Sequence, residues 1–76
     1  MKKTILITGA SSGIGKATTL HFQKQGWNVI ATMRSPEKET ELNNLENVHL
    51  ERLDVLDLVS IETAINNGIS KFGKID

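Results

Sequence analysis

Thr8-Gly9-Ala10-Ser11-Ser12-Gly13-Ile14-Gly15 constrains this chain more than any other stretch. It follows a short β-branched and apolar run, Thr4 to Thr8, which reads as a strand buried on both faces. It precedes Ile14 to Gln25, where Ile14, Ala17, Thr18, His21 and Phe22 fall on one helical stripe. A glycine turn between a strand and a helix is the setting a phosphate-binding loop requires. Gly9 permits a tight turn off the strand, and Gly13 lets backbone approach a diphosphate without a Cβ in the way. Gly15 lets the helix pack close to the sheet. The N–H groups around Ser12, Gly13 and Ile14 then face the phosphates, with the helix dipole favouring negative charge. A turn shaped only for its own sake would need no such context. The Walker-A loop is excluded, because five residues separate Gly9 from Gly15 and Ala17 follows Lys16.

The rest of the chain keeps the alternation. Gly26 ends the first helix in a left-handed cap, and Asn28 to Met33 reads as a second strand. Ser35-Pro36 is a good N-cap and N1 pair, so a helix is expected from there to about Leu45. Val48 to Leu53 is a third strand. Asp57 caps a helix whose apolar positions are Ile61, Ala64, Ile65, Ile69 and Phe72. Gly68 weakens that helix by about 1 kcal/mol relative to Ala. Gly73 ends it, and Lys74-Ile75-Asp76 looks like the approach to another strand. The order βαβαβα implies an α/β fold: part of a Rossmann-like, doubly wound parallel sheet with strand order 3-2-1.

Size and charge narrow the partners. A chain of 76 residues holds one small domain. Its core supplies roughly 3–5 kcal/mol net. It has no cysteine, hence no disulfide or thiolate metal site, and His21 and His49 form no ligand cluster. No metal is expected. Nine basic residues balance nine acidic ones, which favours neither nucleic acid nor an anionic membrane. The apolar stretch near the start, Ile5 to Ile7, is shorter than the h-region of a signal peptide, so a cytoplasmic location is the default expectation.

The Thr8–Gly15 string closely resembles the glycine motif of the short-chain dehydrogenases/reductases. The likeness extends to Leu53-Asp54-Val55 and to the closing Lys71-Phe72-Gly73-Lys74-Ile75-Asp76. The family's extended branch spaces its glycines differently and would want Gly where Ser12 stands. The resemblance implies a Rossmann sheet, NAD or NADP as cofactor, and hydride transfer between a carbonyl and an alcohol. It implies that Gly9, Ser11, Ser12, Gly13, Ile14 and Gly15 line the pyrophosphate and adjoining ribose. Asp54 would accept from the adenine amino group, and the Val55 backbone would meet the ring. A strand-end or capping role for Asp54 is less attractive, because Asp57 is better placed as the cap.

A ribose-binding acid is expected about 20 residues beyond such a motif. That region reads Ala31-Thr32-Met33-Arg34-Ser35 and holds none. An arginine there can pair with a 2′-phosphate through a bidentate fork, and family members with Arg at this place usually prefer NADP. Arg34 is therefore assigned as the main contact, helped by Ser35 and Lys38, and NADP is expected over NAD.

The family's Asn, Ser and Tyr-x-x-x-Lys, with the Tyr as acid/base beside its Lys, have no counterpart here. The chain contains no tyrosine, no residue is given a catalytic role, and Lys16 reads as part of a solvated helix face. Residues 1–76 are expected to be the first half of a nucleotide-binding domain, a fragment or ordered part of a longer enzyme. The outer edge of Ile5-Leu6-Ile7 would lack a strand partner, and the last helix would serve a strand outside this stretch. If the stretch exists alone, it is expected to pair that edge with another copy, as a homo-oligomer. Two rival readings are a binding module without turnover and a flavodoxin- or response-regulator-like domain. The second gives no reason for the glycine triplet.

Overall fold

The computed structural model describes residues 2–76. Three apolar runs form strands β1 (Thr4–Ile7), β2 (Asn28–Met33) and β3 (Val48–Arg52). They pair in parallel in the order β1-β2-β3, with Leu6 opposite Ile30 and Ala31 opposite Leu50. The expected strand order 3-2-1 is thus the observed one. Helix α1 (Gly13–Lys24) joins β1 to β2, and α2 (Leu58–Phe72) follows β3.

β2 is central, and five of its six residues are buried. Side chains alternate along a strand, so its two faces serve different helices. Val29, Ala31 and Met33 join Ile7, Ala10 and Leu42 in one core, against which Leu20 and Phe22 of α1 pack. Ile30 points the other way and meets Gly68 of α2, where a Cβ would lie against Ile30 Cδ1 and 3.1 Å from its Cγ1. Gly68 therefore weakens the helix locally but lets it close on the sheet.

Asp57 caps α2 as expected, its Oδ1 accepting from the N–H groups of Val59 at 3.1 Å and Ser60 at 3.3 Å. Both helices are followed by a left-handed glycine, Gly26 and Gly73.

Two expectations are corrected. The stripe Ile14, Ala17, Thr18, His21 and Phe22 is not the buried face of α1. Ile14 is 86% exposed, and Ala17 and His21 are also exposed. Of that stripe only Phe22 packs on the core, with Leu20, while small Gly15 and Thr19 bring the helix nearest the sheet; Thr19 is fully buried and its hydroxyl donates to the Gly15 carbonyl at 2.9 Å. The helix expected from Ser35 to Leu45 is a single 3-10 turn, Pro36–Lys38. It stops because Glu39 turns extended (ψ 128°) and its carboxylate captures the N–H groups of Glu41 and Leu42, at 2.6 and 2.9 Å. That turn drops Leu42 into the core.

Lys74-Ile75-Asp76 forms no strand, yet it reaches the outer edge of β1. Asp76 N–H donates to the Thr4 carbonyl at 2.8 Å, and Thr4 N–H donates to Asp76 Oδ2 at 2.7 Å. Beyond Thr4, that edge of β1 has no strand partner among the described residues. Beside it, Leu6, Thr8, Ile61, Ile65, Ile69 and Ile75 line an apolar hollow of about 430 Å³.

Candidate functional site

Parallel strands deliver their carboxyl ends to one side of the sheet, and ligands of open α/β sheets bind there. The turn after β1, the segment after β2 and the loop after β3 meet at that edge. They enclose an open hollow of about 630 Å³. Gly9 and Ser11 form part of its wall, Met33, Arg34 and Ser35 a second, and Leu53 and Val55 a third. Lys16, Lys38, Glu39, Thr40 and Glu41 complete it.

The glycine turn is built from β1 and β2 together. Ala10 N–H donates to the Thr32 carbonyl at 3.0 Å, and the Thr32 hydroxyl donates to the Ile7 carbonyl at 2.7 Å. β2 thereby fixes how the chain leaves β1. Gly9 (φ 64°) and Gly13 (φ 56°) lie in the left-handed region, and a Cβ on either would meet open space. Gly15 is different: a Cβ there would press on the Gly9 carbonyl oxygen, with the carbonyl carbon at 2.7 Å and Ala10 Cα at 3.2 Å. The first N–H of α1 to reach a helical acceptor is that of Lys16, which donates to the Ser12 carbonyl at 3.3 Å. The N–H groups of Gly13, Ile14 and Gly15 come before it and have no intrahelical acceptor. Ser12 makes no side-chain cap bond, and no acid sits in the first turn. The bend is therefore exposed, unplugged and electropositive.

Of the residues expected to bind cofactor, Gly9, Ser11, Arg34, Ser35 and Val55 line the hollow, as does Lys38. Ser12, Gly13 and Ile14 are exposed at the start of α1, beside that wall rather than in it. Gly15 lies beneath Gly9 as a packing residue. Asp54 is half-buried and outside the lining. Its Oδ1 accepts from Leu56 N–H at 3.0 Å, and its N–H donates to Ser60 Oγ at 3.0 Å.

Electrostatics add residues that the sequence reading missed. Lys16 is no solvated side chain: its ammonium sits 3.3 Å from Glu39 Oε1 and 3.2 Å from Glu41 Oε1, and the side chain is 20% exposed. The Glu41 hydrogen bond holds Lys16 above the ordinary lysine value; partial desolvation opposes this, and Glu39 adds to the rise. Glu39 is buried. Desolvation pushes its carboxyl up, but the Leu42 and Glu41 N–H groups and then Lys16 outweigh it and leave the value lowered. Arg34 and Lys38 have no ion-pair partner among the described residues. Nothing in the local spacing announces the Lys16–Glu39 pair, which is separated by a whole strand and loop.

Comparison with known proteins agrees with this geometry. The short chain dehydrogenase family profile matches residues 3–76. An uncharacterized oxidoreductase of Schizosaccharomyces pombe is 41% identical over 73 residues, covering 96% of this chain and 24% of its own. Retinol dehydrogenase 13 of Mus musculus is 37% identical over 81 residues, covering 97% of this chain and 24% of its own. The crystal structure of a 3-ketoacyl-(acyl-carrier-protein) reductase from Brucella melitensis, complexed with NADH, superposes with a TM-score of 0.89 at 30% identity, over 97% of this chain and 31% of that one. The chain thus spans between 24% and 33% of the length of the first curated relatives it matches. With its glycine turn, its parallel three-stranded sheet and this match over nearly every residue, the chain belongs to the short chain dehydrogenase family.

Proposed function

We propose that this chain is the cofactor-binding segment of an NADP(H)-dependent oxidoreductase that moves hydride between a carbonyl and an alcohol. The observation that carries the choice of NADP is Arg34: it stands at the end of β2, lines the hollow, has no carboxylate partner among the described residues, and has no acid from Ala31 to Ser35 beside it. Its guanidinium offers a 2′-phosphate a bidentate fork, with Ser35 and Lys38 on the same wall.

The residues present fit such a group. Gly9 and Gly13 leave open space where a Cβ would stand, and the free N–H groups at the start of α1 supply donors for a diphosphate. Gly9, Ser11, Ser12, Gly13, Ile14 and Gly15 hold the pyrophosphate and adjoining ribose. Asp54 takes the adenine amino group through the oxygen not given to Leu56, and the Val55 backbone meets the ring. The bound dinucleotide supplies the hydride chemistry; this chain's residues bind and orient it.

Residues 1–76 form the first half of the nucleotide domain, and the groups that handle the substrate proton lie outside them. The chain alone, which has no tyrosine, is expected to bind without turnover. The alternative reading is a binding module without catalysis. No helix among the described residues is long and apolar enough to cross a membrane. Standing alone, the chain would expose the outer edge of β1 and pair it with a second copy; within a longer chain the next strand would cover it.

Titration with NADP and NAD tests the reading. NADP is expected to bind more tightly, and Arg34→Ala to weaken it roughly 10- to 100-fold, the equivalent of about one charge-assisted hydrogen bond. Tighter binding of NAD, or no loss in Arg34→Ala, would overturn the assignment. Joining the chain to a segment carrying Tyr-x-x-x-Lys separates enzyme from module: only the first gains turnover.

A further inference from the structure

Glu39 is an odd residue to bury. It lies on an irregular segment, its side chain is 4% exposed, and both its oxygens are engaged. Oε2 accepts from the N–H groups of Glu41 and Leu42. Oε1 faces Lys16, on the first turn of α1, at 3.3 Å. One carboxylate therefore shapes the turn after β2 and fastens it to the helix that begins at the glycine bend. Lys16, Glu39 and Glu41 all stand on the wall of the larger hollow, next to Arg34, Ser35 and Lys38.

We infer that Glu39, acting through Lys16, is a positioning residue for the adenosine end of the site. The tie holds the wall after β2 at a fixed distance from the glycine bend, and so sets the width of the space an adenosine ribose enters. Buried Leu42, pulled inward by the same carboxylate, anchors the far end of the wall. Glu41 is the replaceable partner: its side chain is 69% exposed, and Lys16 keeps Glu39 without it. The inference rests on the dinucleotide reading but not on the choice of NADP. A tie that sets width acts on any adenosine ligand, whereas Arg34 acts on the 2′-phosphate alone.

Double-mutant titrations test it. The chain and its Lys16→Met, Glu39→Gln, Lys16→Met/Glu39→Gln and Lys16→Arg variants are titrated with 5′-AMP, NAD and NADP, well below each variant's melting temperature. Glu39→Gln keeps an oxygen for the two N–H groups and turns an uncharged NH2, which cannot accept, toward Lys16. Lys16→Met and Glu39→Gln are each expected to lose about 10-fold on all three ligands, a change of about 1.4 kcal/mol, with the NADP-to-NAD ratio unchanged. The double variant should lose no more than the worse single one, the mark of a shared interaction, and Lys16→Arg should recover most of the loss.

Unchanged affinities in the folded variants would overturn the inference, as would additive losses. A loss confined to NADP would also overturn it, since Lys16 would then be a phosphate contact. If Glu39→Gln fails to fold, Lys16→Met and its Lys16→Arg rescue decide alone. NAD binding as tightly as NADP, with Arg34→Ala neutral, would sink the cofactor choice and leave the tie standing. An unmodified chain that binds no adenosine ligand overturns both.

Discussion

Gly15 lies directly beneath Gly9, so close that a Cβ on Gly15 would press on the Gly9 carbonyl oxygen. The obstacle is backbone, not a flexible side-chain end, and it belongs to the same turn that faces the hollow. Gly15→Ala is expected to destabilise the fold by about 1–3 kcal/mol, the usual cost of forcing atoms into a packed site. It should also displace the turn and abolish dinucleotide binding. Denaturant unfolding with parallel titration checks both. Full binding in a stable Gly15→Ala chain would contradict the packing described here.

Gly68 gives the opposite kind of test, because two effects compete. Alanine in a helix interior gains about 1 kcal/mol over glycine. At Gly68 its Cβ would strike the Cδ1 of Ile30, which is fully buried and has little room to give. Gly68→Ala should therefore destabilise. In an Ile30→Ala background, which removes both Cδ1 and Cγ1, the same change should stabilise by up to about 1 kcal/mol. The sign reversal between the two melting curves is the readout.

Asp57 holds the first turn of α2 through two N–H groups. Asp57→Ala should cost about 1 kcal/mol, the usual loss for an N-cap. Asp57→Asn, which keeps an accepting oxygen, should cost distinctly less. Equal losses would mean that the exposed Arg52 contact, 3.6 Å away, matters more than the cap.

Acid should loosen the segment after β2 before the sheet. The Glu39 carboxyl is lowered in the fold, so its stabilisation is complete above the ordinary value of 4.5 and is lost as pH falls through the lowered one. Lys16 is raised, so its share is complete below 10.5 and fades as pH rises through the raised value. The protection of the Glu41 and Leu42 amides, measured against the intrinsic exchange rate at each pH, should fall in acid while β2 stays protected. Exchange that changes only when the whole chain unfolds would show that the carboxylate does not hold the turn.

Much of this was legible in the sequence, for reasons that differ by residue. The strands could be read because β-branched and apolar runs sit between turn residues, and Asp57 because a capping bond is local. Glycine spacing exposed the bend, since each glycine there answers a backbone need. The buried face of α1 was not legible: Gly15 and Thr19 pack because they are small, while apolar Ile14 faces outward. The 3-10 turn was missed for a related reason. Ser35 and Pro36 do begin a helical turn, but a carboxylate three residues further on diverts the backbone, and its partner Lys16 lies a strand and a loop away. A charged side chain reads as solvated until the fold brings its counter-charge beside it.

Because all three strands run the same way, most residues that line the hollow lie just past the strand ends, while those that knit the sheet lie within them. Thr32 secures the glycine turn from inside β2, and Arg34 reaches the hollow two positions later. On the proposed reading, ligand preference falls to the residues just beyond β2 and structural integrity to the strand itself. A lineage could trade one nucleotide for another by rewriting the tip of β2, and leave the interior that carries it untouched.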